Sequence, residues 1–310
     1  MTLSALALGA AAFAAAPASA QLLVTPPAPP HVLTPGRSLA GNADASALIT
    51  NPANLSLLPA HEFRWTLVAA SSSSSLVQRG HAFDLASPLF LGLSGGLRFE
   101  FVKPGNGNAF ALGDYRWLTG GLSYGDERRG GFGLSLGRSY SSDPRLAGHW
   151  HATAGVTAWP WQRLGVSVAA HNWNASVNRT GARFDRLIDA GVAVRPFGTR
   201  GFELGLEGRY GDRFADTVPR RDRISPRGVL GLDVPAVGRL RADLQIDQPF
   251  SNGERSYTAS AGLEVIAGHL AAGGGVVGGK GMGALGGYAS VALRGFGEPG
   301  LPTPSYAVRV

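Results

Sequence analysis

The sequence contains no cysteine. That excludes a disulfide framework, a thiolate zinc site and a cysteine nucleophile. Charge is also scarce: charged residues make up 16% of the chain, against about 25% in a soluble domain. Beyond residue 20, no stretch reaches the roughly 18 uninterrupted apolar residues of a membrane-spanning helix. Lysine is almost missing, with Lys103 and Lys280 the only two. The basic residues are otherwise arginines spread along the chain, beside acids or in polar stretches. The net charge of +7 therefore forms no basic patch, and no nucleic-acid partner is expected. What the chain has in excess is glycine, 45 of 310 residues, or about twice the usual share. A glycine-rich, charge-poor chain with aromatics and no spanning helix suits a β-sheet whose outer face meets lipid.

Residues 1–20 read as a signal peptide. An apolar stretch from Ala5 to Ala16 ends in the small-x-small triplet Ala18-Ser19-Ala20, which places the mature N-terminus at Gln21. The segment lacks the usual basic residues at its start. Residues 21–37 are proline-rich and read as an extended leader. Residues 38–60 hold small residues, a short helical stretch near Asp44–Ile49 and the run Asn51-Pro52-Ala53-Asn54. Residues 297–310 read as a tail or linker.

From residue 61 the hydrophobic period is two. Phe202, Leu204 and Leu206 oppose Glu203, Glu207 and Arg209. Leu240, Ala242, Leu244 and Ile246 oppose Arg241, Asp243, Gln245 and Asp247. Ile188, Ala190, Val192 and Val194 oppose Asp189, Gly191 and Arg195; Leu91, Leu93, Leu97 and Phe99 oppose Ser94, Gly96, Arg98 and Glu100. A helix would mix these sets, whereas a strand separates them. About fourteen such segments fit between residues 61 and 296, at 61–71, 78–87, 90–102, 114–125, 130–141, 147–159, 163–174, 185–196, 201–211, 226–234, 238–248, 255–266, 269–278 and 282–295. The even-numbered connections are short, and most odd-numbered ones are long and polar. Such sorting predicts an all-β, transmembrane, antiparallel up-and-down barrel in the outer membrane, with tight periplasmic turns and longer external loops. The apolar sets would face lipid. Trp65, Trp117, Trp150, Trp159, Trp161 and Trp173 would form interfacial girdles.

Several motifs are apparent only. Gly-x-Ser-x-Gly occurs around Ser94, Ser123 and Ser135, but each Ser lies inside an alternating run and lacks the strand-to-helix turn of a nucleophile elbow. These runs instead present small residues to the lumen and leave space there. Gly273–Gly278 and Gly274–Lys280 imitate nucleotide-binding loops, yet neither opens a helix, and Gly281 stands where a metal-binding hydroxyl belongs. His149, His151 and His171 could bind a metal only if they share a face, which turn length decides; polar lumen histidines are the expectation, and no metal or other cofactor is assigned. No nucleophile and base converge, so no enzymatic activity is expected. The lumen-facing set comprises Ser94, Arg98, Glu100, Ser123, Ser135, Asp189, Glu203, Glu207, Arg209, Arg241, Asp243 and Asp247, with Arg195, Asp233 and Glu264 in phase with it. Cross-strand pairing and a charged constriction both fit this set.

The run Ser38–Leu55, with Asn51-Pro52-Ala53 just before the first strand, resembles the N-terminal region of the long-chain fatty acid transporter (FadL-like) outer-membrane family. That resemblance implies a small plug, here Asn51, Pro52, Ala53 and Asn54 with their neighbours, inside a fourteen-stranded barrel. Family members usually carry Gly where this chain has Asn54. The pattern Asn51–Leu55, Pro59 and Glu62–Arg64 also resembles the barrel region preceding SppA-like signal peptide peptidase domains, although the Ser–Lys pair of that protease has no counterpart here. The expected role is passage or uptake of a small hydrophobic solute through a plugged lumen. The alternative is a non-transporting barrel that anchors or docks a periplasmic or fused protein. Expected partners are outer-membrane lipid and such a solute.

Overall fold

The computed structural model describes residues 31–105, 113–126, 129–174, 186–212, 223–249, 256–279 and 285–295, apart from 72, 75, 77, 145 and 236. Residues 1–30, with the expected signal segment and the start of the expected leader, and residues 296–310, with the expected tail, lie outside the described residues, as does the side chain of Asp247.

Fourteen antiparallel strands close into one barrel in which each strand pairs with its sequence neighbours. They are β1 (Glu62–Ala69), β2 (Gly80–Pro88), β3 (Leu93–Val102), β4 (Tyr115–Asp126), β5 (Gly130–Ser141), β6 (Trp150–Trp161), β7 (Leu164–His171), β8 (Arg186–Val194), β9 (Phe202–Asp212), β10 (Arg223–Val234), β11 (Gly238–Pro249), β12 (Ser256–Ala267), β13 (Leu270–Gly279) and β14 (Gly286–Arg294). Closure is made by β1 against β14, with Trp65 opposite Val291. Each expected strand is present, and its ends move by only a few residues. Leu91, expected within the third strand, instead sits in the β2–β3 turn. Leu91 and Gly92 take φ of 51° and 80°, and the turn closes through Leu93 N–H to Phe90 O at 2.9 Å. Positive φ at both central residues matches the twist of the flanking strands. In β6 the register to β7 shifts between Ala158 and Trp161, where Pro160 has no N–H to offer the ladder.

Alternation divides the wall into two faces. Leu97, Leu122, Leu134, Leu136, Leu204, Leu206 and Leu244 are exposed on the outside, where hydrocarbon would cover them. Ser94, Arg98, Glu100, Thr119, Ser123, Ser135, Thr157 and Glu264 are buried inside. A protein with this pattern is polar within and apolar without, as outer-membrane barrels are. Of the tryptophans, Trp150 and Trp161 are exposed at the two ends of β6, and Trp173 is exposed just beyond β7. Trp117 and Trp159 are buried in the interior, which corrects the expected girdle. Strand-end position does not set direction; phase does, and Trp117 is in phase with Thr119 and Ser123, while Trp159 is in phase with Thr157.

Residues 31–60 lie within this wall. A helical turn, α1 (Ala47–Thr50), and a 3₁₀ stretch, Pro52–Leu57, form the compact part. Two apolar clusters hold it: Ala45, Ala47, Leu48, Leu55 and Leu58 with Ala86 of β2, and Ala40 and Leu57 with Trp159 and Ala193. Nearer the long loops, Val32 packs with Leu76, Tyr115, Trp117 and Leu146, so loop residues close over this sector of the interior.

Candidate solute path and internal segment

The internal segment rests on glycines. On β3–β6 the inward positions carry small side chains, and the segment fills the space they leave. Leu55 approaches Gly96, and Leu48 Cδ1 would lie 2.6 Å from a Cβ built on Gly121. A Cβ on Gly133 would collide with the Pro52 backbone, and one on Gly155 with Asn51 Oδ1. Any larger residue at Gly133 therefore competes with backbone, which cannot swing away.

Asn51, Pro52, Ala53 and Asn54 are all buried. Asn51 Oδ1 accepts from Ala53 N–H at 3.1 Å, which shapes the turn that Pro52 begins. Its amide donates to Thr157 Oγ1 at 2.8 Å. Asn54 donates to Leu39 O at 2.8 Å and accepts from Thr157 Oγ1 at 2.6 Å. Asn54, which departs from the glycine usual in the resembled family, thus links segment to wall.

Charge pairing supplies the second set of ties. Glu264 faces four arginines: Arg37 at 3.2 Å, Arg64 at 3.2 Å, Arg241 at 3.0 Å and Arg294 at 3.2 Å. Asp44 of the segment pairs with Arg37 at 2.8 Å and Arg64 at 3.5 Å. Burial alone would push the Asp44 carboxyl up; the guanidiniums of Arg37, Arg64 and Arg241 outweigh it and hold the group well below the usual carboxylate range. Ser38 donates to Glu203 at 2.9 Å, and Glu203 pairs with Arg195 at 2.7 Å. Arg195 in turn lies 3.7 Å from the Trp159 ring centre, which gives the inward indole its polar neighbour.

Residues 31–37, read from sequence as an extended leader, run along the same interior. Val32 N–H donates to Glu100 Oε1 at 2.8 Å, and Gly36 N–H to Asp243 at 2.6 Å. His31 also meets Glu100, which shares Arg98 with Asp84. On the opposite wall Asp189 pairs with Arg209 at 2.7 Å and His171 at 3.2 Å. Arg227 bridges Glu207 at 3.1 Å and Asp243 at 3.2 Å. The inward acids and bases are thus paired rather than arranged as a ring of one sign. His149 and His151 are buried, and His171 faces Asp189; among the described residues no three metal-ligating side chains converge. Sequence reading missed Glu62, Arg64 and Asp84, although each is in phase with an inward set. It also missed Arg37 and Asp44, for which no periodic signal exists.

Between the internal segment and the β7–β12 wall a cavity of about 300 Å³ remains. Leu33, Leu39, Ile49 and Leu187 give it apolar surface, and Asp189 and Arg209 give it charge.

No known protein family matches the sequence, and no curated protein does. Solved structures do match in fold. The chain is similar to the CymD monoaromatic hydrocarbon channel with TM-score 0.56 and 11% identity, over 84% of this chain and 94% of that one. It is similar to a bacterial polysaccharide outer membrane secretin with TM-score 0.50 and 10% identity, over 76% and 98%. A FadL homologue of Pseudomonas aeruginosa aligns with TM-score 0.48 and 13% identity, over 83% and 96%. The fold is that of an outer-membrane β-barrel, and the fourteen-stranded barrel expected from the FadL-like resemblance is present.

Proposed function

We propose that the protein is an outer-membrane channel for a small, mainly hydrophobic solute, with residues 31–60 as a plug that limits passage. Export through a cleaved signal segment ending at Ala20 belongs to the same reading. The observation that carries it is the cavity beside the plug. Its volume, about 300 Å³, is at the lower end of ligand sites. Its apolar side could take the body of a solute and its charged wall a polar end. The likeness to a hydrocarbon channel supports a barrel built for such traffic. A second reading, a barrel that anchors or docks another protein, draws on the firm seating of the plug around Glu264.

Deleting residues 38–58 and recording conductance in planar bilayers tests the first reading. A barrel that inserts and conducts more supports occlusion. A barrel that inserts with unchanged conductance leaves the anchoring reading as the better one. Liposome flux of small aromatic and aliphatic solutes then tests the solute class.

A further inference from the structure

Two outward-facing arginines near the long-loop end carry a separate inference. Arg116 of β4 and Arg138 of β5 are exposed and lie diagonally across one strand pair, since Arg116 is opposite Tyr140 and Leu118 is opposite Arg138. Each is held against aromatic rings. Arg116 Cζ stands 5.3 Å from the Phe101 ring centre, and Arg138 Cζ stands 5.5 Å from Tyr140 and 5.4 Å from Trp150. Register makes this a row across the wall, because Phe101 is opposite Arg116 and Trp150 is opposite Arg138. Among the described residues neither guanidinium has a carboxylate within ion-pair distance. Asp114, one alternation further toward the loop, is exposed and pairs with neither.

This departs from the interior, where charges are paired. Two like charges on a lipid-side face repel each other unless an anion joins them. Stacking on aromatic rings leaves the guanidinium N–H edges free, and those edges fit phosphate oxygens. Directly below, the same strands form an apolar groove of about 600 Å³ lined by Leu93, Gly120, Leu122, Tyr124, Leu134 and Leu136. The groove exists because Gly120 has no side chain; a Cβ there would touch only Leu97 Cδ2 closely, at 3.2 Å. Arg138 is one alternation from Leu136, so the basic row and the groove are continuous.

We propose that the outer face of β3–β6 binds one phosphorylated lipid of the leaflet on the long-loop side, its phosphate on Arg116 and Arg138 and an acyl chain over Gly120. The aromatic row sets the depth of the head group, as interfacial aromatics do. The site does not depend on whether any solute crosses the lumen.

The test uses the whole protein reconstituted in phosphatidylcholine vesicles carrying bisphosphorylated lipid A, then extracted in mild detergent for native mass spectrometry. The wild type is expected to keep one lipid A molecule per barrel. Retention should fall at least tenfold in the double variant R116Q/R138Q, and equally when lipid A is dephosphorylated. Gly120→Leu, which fills the groove but keeps both arginines, should also weaken retention. Heat-modifiable mobility identifies folded barrels among the variants. Equal retention of phosphorylated and dephosphorylated lipid, or full retention by folded R116Q/R138Q, would overturn the phosphate site. Unchanged retention by Gly120→Leu would overturn the groove.

Discussion

Thr157 donates its hydroxyl proton to Asn54 Oδ1 at 2.6 Å. One residue belongs to the internal segment and the other to β6, and both are buried. The contact therefore measures seating directly. Asn54→Ala and Thr157→Val are each expected to loosen the segment, with a coupling of about 1 kcal/mol in a double-mutant cycle. Protease cleavage within residues 31–60 of the folded barrel reads it. Strict additivity of the two variants would show that the bond does not contribute.

Glu264 is the shared acid of four arginines, two of which, Arg64 and Arg294, belong to β1 and β14 beside the closing seam. Glu264→Gln takes the carboxylate partner from Arg241 and leaves Arg37, Arg64 and Arg294 to share Asp44 and Glu62, so four buried guanidiniums face two acids, at a cost of up to about 3–5 kcal/mol. The urea midpoint of the refolded barrel in detergent micelles should fall accordingly. A midpoint unchanged from wild type would mean that the cluster is solvated in solution.

Leu204 and Leu244 are exposed on the outer face, and Gln245 lies on the opposite face from Leu244. Leu204→Arg or Leu244→Arg should cost roughly 2–4 kcal/mol in a lipid bilayer, and Gln245→Arg far less. Folding yield into vesicles, read by heat-modifiable mobility, compares them. Equal yields would contradict the assignment of faces.

Gly133→Leu tests the small-residue wall. Its side chain would take the place of the Pro52 backbone, so the segment should leave its seat while the barrel still inserts. Bilayer conductance should rise toward that of the 38–58 deletion. A folded variant with wild-type conductance would separate the Pro52 contact from occlusion.

Asp44 makes seating pH-dependent. Its carboxyl, ordinarily near 3.8, is held lower in the folded protein. A lowered folded value contributes stability fully present above the ordinary value and lost as pH falls through the folded one. Protease resistance of residues 31–60 should thus hold from neutrality down to 3.8 and decline below it. Asp44→Asn should start less resistant and lose the part of the acid response that Asp44 supplies.

Much of this protein is determined locally. Strand number, faces and the parity of loop length follow from a period of two repeated along the chain, because each segment must turn one face to lipid and one inward wherever it sits in the barrel. Leu204 against Glu203 states this within two residues. The small faces around Ser94, Ser123 and Ser135 were legible for the same reason, as was a compact turn at Asn51 and Pro52. Other features had no local signature. That Trp117 and Trp159 turn inward is a matter of phase, which position near a strand end disguised. That Arg37 meets Glu264, 227 residues away, depends on the registers of every strand between them and on closure of β1 against β14. That Thr157 completes Asn54 depends on where the internal segment settles against the glycines of β4, β5 and β6. Alternation fixes directions one residue at a time; partners across a closed lumen are fixed only when all fourteen strands have set their positions together.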